Sequence, residues 1–269
     1  MTKMNKLFFP SLLLTAFVII LSSCSKKEGC TDTSALNFDP DAEKNCCCEY
    51  AETTEVGIHF HSFVGADVLN NGSTYEINGT TIRLDNARFY ISNIRLVDAN
   101  GNEVKAEGKY LLIDPAIEEY ELGGFPSGNY TKIRFDVGID SITNHSADPA
   151  DYADGDPLGY QTPAMNWGWT FGYMFVLVHG QIDADDDGTL DAYLIYHLGT
   201  DEFLTPIEID YALDATNSNE EATVHLTVDW NKFFDDVNLA TEYHTEVTDD
   251  YPLASKLRSN IPSMITIEE

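Results

Sequence analysis

The sequence predicts an all-β domain: an antiparallel β-sandwich, immunoglobulin-like or jelly-roll-like, with one long loop that contains aromatic residues. Two observations lead to this prediction. From residue 53 onward, short apolar runs alternate with turn signals, and the only helix candidates are short segments at 231–237 and 252–260. This spacing is typical of sandwiches, which bury alternate side chains of each strand between two packed sheets.

The individual strands follow from these apolar runs. The predicted strands are 55–64, 79–84, 88–97, 109–113, 129–138, 171–182, 190–198 and 222–230. Segment 140–170 contains three prolines and little periodicity. A loop of this length in a compact domain is either functional or disordered, and Trp167 and Trp169 favour order because disordered segments are poor in aromatic residues.

Residues 1–23 are predicted to be a lipoprotein signal peptide. Lys3 and Lys6 precede an apolar run that ends in "LSSC", so Cys24 would be lipidated and would begin the mature chain. The alternative is a transmembrane anchor, for which the apolar run is short. We therefore expect an exported lipoprotein on the periplasmic side of a membrane or at the cell surface, attached through its lipid alone.

Residues 24–52 are expected to form a lipidated, cysteine-rich tether, and residues 53–269 to form the sandwich domain. All five cysteines lie in the tether. In an exported protein they favour a disulfide over the alternative, a thiolate copper or zinc site. Because the domain itself contains no cysteine, a metal site there would use nitrogen, oxygen or thioether ligands.

The stretch "GCTDTSALNFDPDAEKNCCCEY" within the tether resembles a short element of exported proteins of the Bacteroidetes. This resemblance implies that Cys30 forms a disulfide with one of three later residues, Cys46, Cys47 or Cys48.

The charge of the chain excludes several classes of partner. The net charge is −30, and removal of Lys3 and Lys6 with the signal peptide leaves 13 basic against 45 acidic residues, or −32. Such a charge repels nucleic acid and anionic lipid and attracts cations. The sequence contains no G-x-S-x-G, H-E-x-x-H or nucleotide-binding loop, so we expect a binding protein rather than an enzyme.

An acidic turn between two predicted strands resembles half of a calcium loop. Carboxylates occupy positions 1, 3, 5 and 9 of an EF-hand-like spacing, at Asp183, Asp185, Asp187 and Asp191. Gly188 permits the sharp turn at position 6, but position 12 is Leu194 instead of the usual bidentate glutamate. The two hypotheses are a structural calcium site and a solvated acidic turn.

His59 and His61 are the strongest candidates for metal ligands. They lie one residue apart in a predicted strand, so both imidazoles project from the same face and could reach one ion. The alternative is that they are hydrogen-bonded structural residues, which is what we expect of the lone strand histidines His179 and His225. If Ile182 opposed Leu190 across the acidic turn, His197 would lie opposite Phe175 on an aromatic face.

Six stretches of the domain occur in a recognisable order. They are "HFHSFVG" (59–65), "RFYISNIRLVD" (88–98), "YLLID" (110–114), "FDVGIDSITN" (135–144), "DPLGYQTPAMNWGWTFGYMFVLVHG" (156–180) and "YHLGT" (196–200). Together they resemble the MbnP-like family of exported copper-binding proteins, which is related to the CorA and MopE copper proteins of methane oxidisers.

This resemblance implies one tightly held copper, Cu(I) or Cu(II), ligated by histidines together with kynurenine, an oxidised tryptophan. Carried over by position, His59 and His61 are the ligands, Trp167 or Trp169 is the oxidised residue, and His197 is a third ligand or a neighbour of the ligands. Met165 is a further candidate because its soft sulfur suits Cu(I). A separate dihaem enzyme, MbnH in methanotrophs, is the implied oxidising partner.

The sequence thus favours a lipid-anchored copper-binding protein that sequesters copper or hands it on. The alternative is a sandwich that recognises glycan or protein, with Trp167 and Trp169 as a stacking platform and a structural calcium ion at the acidic turn. A third hypothesis is that the histidines are purely structural.

Overall fold

The computed structural model describes residues 26–33, 35–168, 171–247 and 249–268. The predictions for residues 1–23, Cys24 and Trp169 lie outside the described residues. Within the described part, no helix has the length and apolar character that crossing a membrane requires. The chain divides into two compact units, Met1–Ala51 and Glu52–Glu269.

The first unit is small and is closed by cysteine pairing. It contains two strands, β1 (Glu28–Gly29) and β2 (Lys44–Asn45). The strands pair in parallel. Cys30 is buried and forms a disulfide with Cys48, and Cys46 is joined to its neighbour Cys47.

The second unit contains most of the secondary structure. Its strands are β3 (Thr53–Val64), β4 (Asp67–Val68), β5 (Ser73–Ile77), β6 (Thr80–Asp98), β7 (Glu103–Lys105), β8 (Leu111–Ile113), β9 (Glu119–Pro126), β10 (Gly128–Val137), β11 (Met174–Ile182), β12 (Ala192–Gly199), β13 (Thr205–Ala215), β14 (Ala222–Asp229), β15 (His244–Thr245) and β16 (Ile265–Ile267). Its helices are α1 (Ser141–Ser146), α2 (Trp230–Phe233) and α3 (Tyr251–Met264), with 3-10 turns at Pro149–Asp151 and Asp201–Phe203.

The large sheet is built around the long strand β6. Its order is β13-β10-β6-β11-β12-β15, and β5, β7 and β8 also pair with β6. Residues 82–89 of β6 pair with β11, whereas residues 91–98 pair with β10. One strand therefore joins two groups of neighbours.

The small sheet has β3 at its centre. The order is β16-β14-β3-β4, and β9 also pairs with β3. The β3 strand runs antiparallel to β9 but parallel to β14, so the sheet is mixed. The inner faces of the two sheets meet in the core, where the ring of Phe60 lies 6.3 Å from that of Phe89. This arrangement confirms the predicted β-sandwich.

The observed long strands differ from the predicted ones in three places, and the short strands β4, β5, β7, β15 and β16 were not predicted. The two predicted strands 79–84 and 88–97 are the single strand β6, and the sequence did not predict β9 or β13. The β9 sequence contains Gly123-Gly124 and ends at Pro126, which are residues that signal a turn. The β13 strand carries Pro206, a residue that sheets tolerate only at an edge, and β13 is an edge strand.

The long loop after β10 is held to the large sheet by hydrogen bonds. The backbone N–H of Tyr173 donates to Asn144 Oδ1 at 2.8 Å, and the Tyr173 hydroxyl donates to the carbonyl of Leu158 at 2.7 Å. The hydroxyl of Tyr90 on β6 donates to the carbonyl of Pro157 at 2.7 Å. These contacts satisfy buried polar groups and give the loop a defined path.

Candidate metal centre

His59 and His61 lie on the outer face of the small sheet. Along β3 the side chains of Ile58 and Phe60 point into the core, so the alternation of the strand directs both histidines away from it. Their rings are 4.5 Å apart. His59 is nevertheless only 8% exposed, because neighbouring strands surround it. The two predicted ligands are therefore close together, with His59 buried and His61 partly exposed.

The parallel strand β14 adds a third imidazole. Its register places His225 directly beside His59, at a ring distance of 5.2 Å. The sequence alone predicts a structural role for His225, because nothing in a single sequence indicates that β14 pairs with β3. The only available signal was that His225 occupies an outward position of an alternating strand.

Carboxylates from both sides of β3 approach these imidazoles. Glu268 follows β16, and its Oε1 lies 2.5 Å from His61 Nδ1, while its Oε2 lies 3.3 Å from His225 Nδ1 and 3.9 Å from His59 Nε2. On the opposite side, Glu119 Oε1 lies 2.7 Å from His59 Nδ1. We call His59, His61, His225 and Glu268 the β3 cluster.

The β3 cluster has the chemistry of a metal site. One ligand atom from each of His59, His61 and Glu268 can be chosen so that all lie within 4.8 Å of one another. Burial acts to raise the pKa of Glu268, but the hydrogen bond with His61 and the nearby imidazoles outweigh it and lower the pKa. An ionised carboxylate among imidazoles suits a borderline divalent cation such as Cu²⁺ or Zn²⁺.

His197 lies on β12 of the other sheet, and the structure brings it together with His179. Their Nε2 atoms are 2.6 Å apart. The observed register pairs His197 with Leu177, not with Phe175 as the sequence suggested, and Ile182 with Ala192. This shift of two residues makes the two histidines diagonal neighbours on one face.

Trp167 packs against His197. The centroids of their rings are 6.1 Å apart, and the indole also lies over Gly199, where a Cβ atom would be 2.9 Å from Trp167 Cη2. The glycine of "YHLGT" therefore provides space for the indole. Met165 is buried, and its carbonyl accepts from the N–H of Met174 at 2.9 Å. The structure thus places Trp167 and His197 together and apart from the β3 cluster.

The acidic turn brings three of its four predicted residues together. Ligand oxygens of Asp183, Asp185 and Asp187 lie within 4.8 Å of one another, and Asp191 is not in this group of described residues. Asp183 is buried and accepts from the N–H groups of Asp187 at 3.0 Å and Gly188 at 2.8 Å. Those bonds explain the shape of the turn without an ion.

Comparisons with known proteins identify the family. The family model described as MbnP matches residues 53–249. A solved structure, MbnP from Methylosinus trichosporium, is similar over 69% of this chain and 80% of its own chain, with a TM-score of 0.50 and 18% sequence identity, which shows a shared fold. No curated protein matches the sequence. Because the family model covers most of the chain, this protein belongs to the MbnP family.

Proposed function

We propose that the protein is an exported, lipid-anchored copper-binding protein that sequesters copper or hands it on, and that the β3 cluster holds the ion. It acts as a binding protein and not as an enzyme. One observation carries this proposal: the ligand atoms of His59, His61 and Glu268 converge on the outer face of the small sheet, and Glu268 also reaches the imidazole of His225. Membership of the MbnP family supports copper as the ion.

The donor atoms favour copper over competing divalent ions. The β3 cluster offers imidazole nitrogens and carboxylate oxygens, and at such sites Cu²⁺ binds more tightly than the other first-row divalent ions. Glu119, at 2.7 Å from His59 Nδ1, orients that ring so that Nε2 faces Glu268. The net charge of −30 also raises the local concentration of cations.

We also propose that one tryptophan of the long loop, Trp167 or Trp169, is oxidised to kynurenine by a separate MbnH-like dihaem enzyme. In this step the C2–C3 bond of the indole is cleaved, two molecules of a peroxide oxidant used by that enzyme each give one oxygen atom to these carbons and are reduced to water, and a water molecule then hydrolyses the resulting N-formyl group, which leaves as formate. Because Trp167 lies beside His197, its oxidised form would not ligate an ion in the β3 cluster. The intact mass of protein from its own host, with peptide mapping of both tryptophans, tests this step, and two unmodified tryptophans would contradict it.

The copper proposal is tested by removing His59 and His61 together. We expect the full-length His59→Ala/His61→Ala variant to lose at least about 100-fold in Cu²⁺ affinity, since the loss of two of three imidazoles leaves too few ligands. Affinity is measured by competition with a chelator, and metal content by elemental analysis of protein from the host.

The matched control is His145→Ala, which removes an exposed imidazole whose partner is Asp201. This variant should bind Cu²⁺ as the unmodified protein does. Thermal unfolding of both variants shows whether the fold is retained. Unchanged Cu²⁺ binding by a folded double variant would refute the role of the β3 cluster.

A further inference from the structure

The pair formed by His179 and His197 does not belong to the β3 cluster, since it lies on the other sheet. Both residues face the same side of the β11–β12 ladder, and their rings are 4.9 Å apart at an angle of 56°. His197 is 7% exposed, whereas His179 is only partly buried. The two imidazoles therefore direct their Nε2 atoms toward one another, near the protein surface.

The hydrogen bond between the two rings does not satisfy every nitrogen atom of the pair. Two neutral imidazoles facing through Nε2 share one hydrogen, so one ring donates and the other accepts. His197 Nδ1 is buried and has no hydrogen-bond partner, although Glu246 Oε1 lies 3.3 Å away. A hydrogen on Nδ1 would face that carboxylate favourably, which leaves the Nε2 lone pair of His197 directed at His179.

The surroundings disfavour a positive charge on either ring. Burial, followed by the neighbouring His179 and His244, lowers the pKa of His197 to about 4. Burial also lowers the pKa of His179. Burial therefore favours the unprotonated form of each ring, which is the form that binds metal.

A small cleft lies beside two residues that contact His197. Its volume is about 110 Å³, and it is lined by Trp167, Phe171, Thr200, Glu246 and Val247. Two of these residues contact His197: the indole of Trp167 packs against its ring, and the carboxylate of Glu246 approaches its Nδ1. An ion at the pair would thus have an aromatic wall on one side and a carboxylate behind one ligand.

We propose that His179 and His197 form a second, separate binding site for a monovalent soft cation, Cu(I) or its chemical analogue Ag(I). Within the described part of the chain, no third histidine, cysteine or carboxylate ligand converges with them. Two neutral nitrogen ligands are too few for Zn²⁺ or Cu²⁺, whereas a closed-shell monovalent ion accepts two-coordinate binding.

Binding requires a small movement of one ring. Metal–nitrogen bonds of about 2.0 Å hold two opposed nitrogens about 4 Å apart, compared with 2.6 Å in the ion-free pair. His179 is the ring that moves, because it is the more exposed of the two. The ion takes the place of the shared hydrogen, which moves to the Nδ1 atom of the same ring, so both Nδ1 atoms carry a hydrogen and no proton is released.

The test is titration of the full-length, metal-free protein with Ag(I) in the absence of reductant, so that the disulfides of the first unit stay intact. The variants are His179→Gln and His59→Gln/His61→Gln, and they share the same cysteines. We expect His179→Gln to bind one Ag(I) at least about tenfold more weakly than the unmodified protein does. The His59→Gln/His61→Gln variant should retain that ion, so the failure of one site is distinguished from failure of the other.

A second measurement does not depend on a variant that folds. In ¹⁵N spectra of the unmodified protein, one equivalent of Ag(I) should shift the Nε2 resonances of both His179 and His197. Equal Ag(I) binding by a folded His179→Gln variant, or Nε2 resonances that do not move, would overturn the proposal.

Discussion

The two groups of histidines lie on different sheets and differ most in the carboxylates around them. In the β3 cluster, Glu268 contacts His61 and His225 directly, and Glu119 contacts His59. In the pair on the large sheet, the imidazoles contact one another instead, and the nearest carboxylate lies behind one ring. Histidine side chains therefore contact mainly carboxylates in the first group and mainly one another in the second.

This difference shows how strand pairing determines the class of ion that a histidine can bind. The parallel strand β14 brings the imidazole of His225 to the β3 cluster, and the segment after β16 brings the carboxylate of Glu268. The negative charge of that carboxylate suits a divalent ion. The β11–β12 ladder places a second imidazole at the Nε2 atom of His197, and the carboxylate of Glu246 lies at its Nδ1 atom instead, which suits a monovalent ion between the two Nε2 atoms.

The pH dependence of stability should differ between the two settings. The pKa of His197 falls from its ordinary 6.5 to about 4 on folding, since His179 and His244 add to burial, while the carboxylate of Asp249 acts in the opposite direction and Glu246 lies near Nδ1. The unfolded chain therefore binds the proton first, and the metal-free protein loses on the order of 2–3 kcal/mol as the pH falls from 6.5 to 4.

Urea unfolding of the unmodified protein and of His197→Gln across this range measures the effect. The variant should have a shallower slope between pH 6.5 and 4, whatever its stability at pH 7. Glu268→Gln is the matched comparison: because folding lowers the pKa of Glu268 from 4.5, its contribution is present above 4.5 and is lost only below that value. Parallel curves for His197→Gln and the unmodified protein would contradict the assigned pKa.

Adding a methyl group should destabilise the large sheet beside His197 and not the small sheet beside His59. A Cβ atom at Gly199 would lie 2.7 Å from the carbonyl oxygen of Tyr173 and would also press on Trp167. Because the backbone cannot yield easily, we expect Gly199→Ala to cost about 2 kcal/mol and to change the fluorescence of Trp167.

Gly57→Ala on β3 is the control for this substitution. Its Cβ would meet the flexible side chain of Glu221, and the nearest backbone atom, the carbonyl oxygen of Tyr120, is 3.5 Å away. A change within about 0.5 kcal/mol is therefore expected, measured by thermal or urea unfolding. Equal destabilisation by the two substitutions would show that Gly199 is not required for the packing of Trp167.

The sequence predicted the fold better than it predicted the complete site. Alternation along β3 is a local property, so the projection of His59 and His61 from one face followed from it directly. The contributions of His225 and Glu268 depend on the parallel pairing of β14 with β3 and on the position of the last described strand, which are long-range properties. The meeting of His179 and His197 depends on a register that differs by two residues from the expected one.

Neutralising Glu268 should weaken copper binding at the β3 cluster. This carboxylate contacts two of the three imidazoles and supplies negative charge to the ion, so Glu268→Gln should lower Cu²⁺ affinity by about tenfold or more. Chelator competition gives the affinity, and Ag(I) binding at the His179–His197 pair should be unchanged. Loss of both ions would indicate a general change of structure, and loss of neither would remove Glu268 from the site.

The smallest expected effects come from two carboxylates at the edges of the two groups, which are closely matched in geometry. Glu118 Oε1 lies 3.4 Å from His61 Nε2, and Glu246 Oε1 lies 3.3 Å from His197 Nδ1, with side chains 52% and 49% exposed. At such exposure neither Glu118→Gln nor Glu246→Gln should change the free energy of unfolding by more than about 1 kcal/mol. The effects of the two substitutions on binding should nevertheless be separate.

Glu118→Gln should weaken Cu²⁺ binding a few-fold and leave Ag(I) binding unchanged, whereas Glu246→Gln should weaken Ag(I) binding and leave Cu²⁺ binding unchanged. The reason is that each carboxylate orients an imidazole, or attracts the cation, at one group only. Both affinities are measured for both variants. If either substitution weakened both ions equally, the charge would act through the overall field of the protein, and the two sites would not be independent.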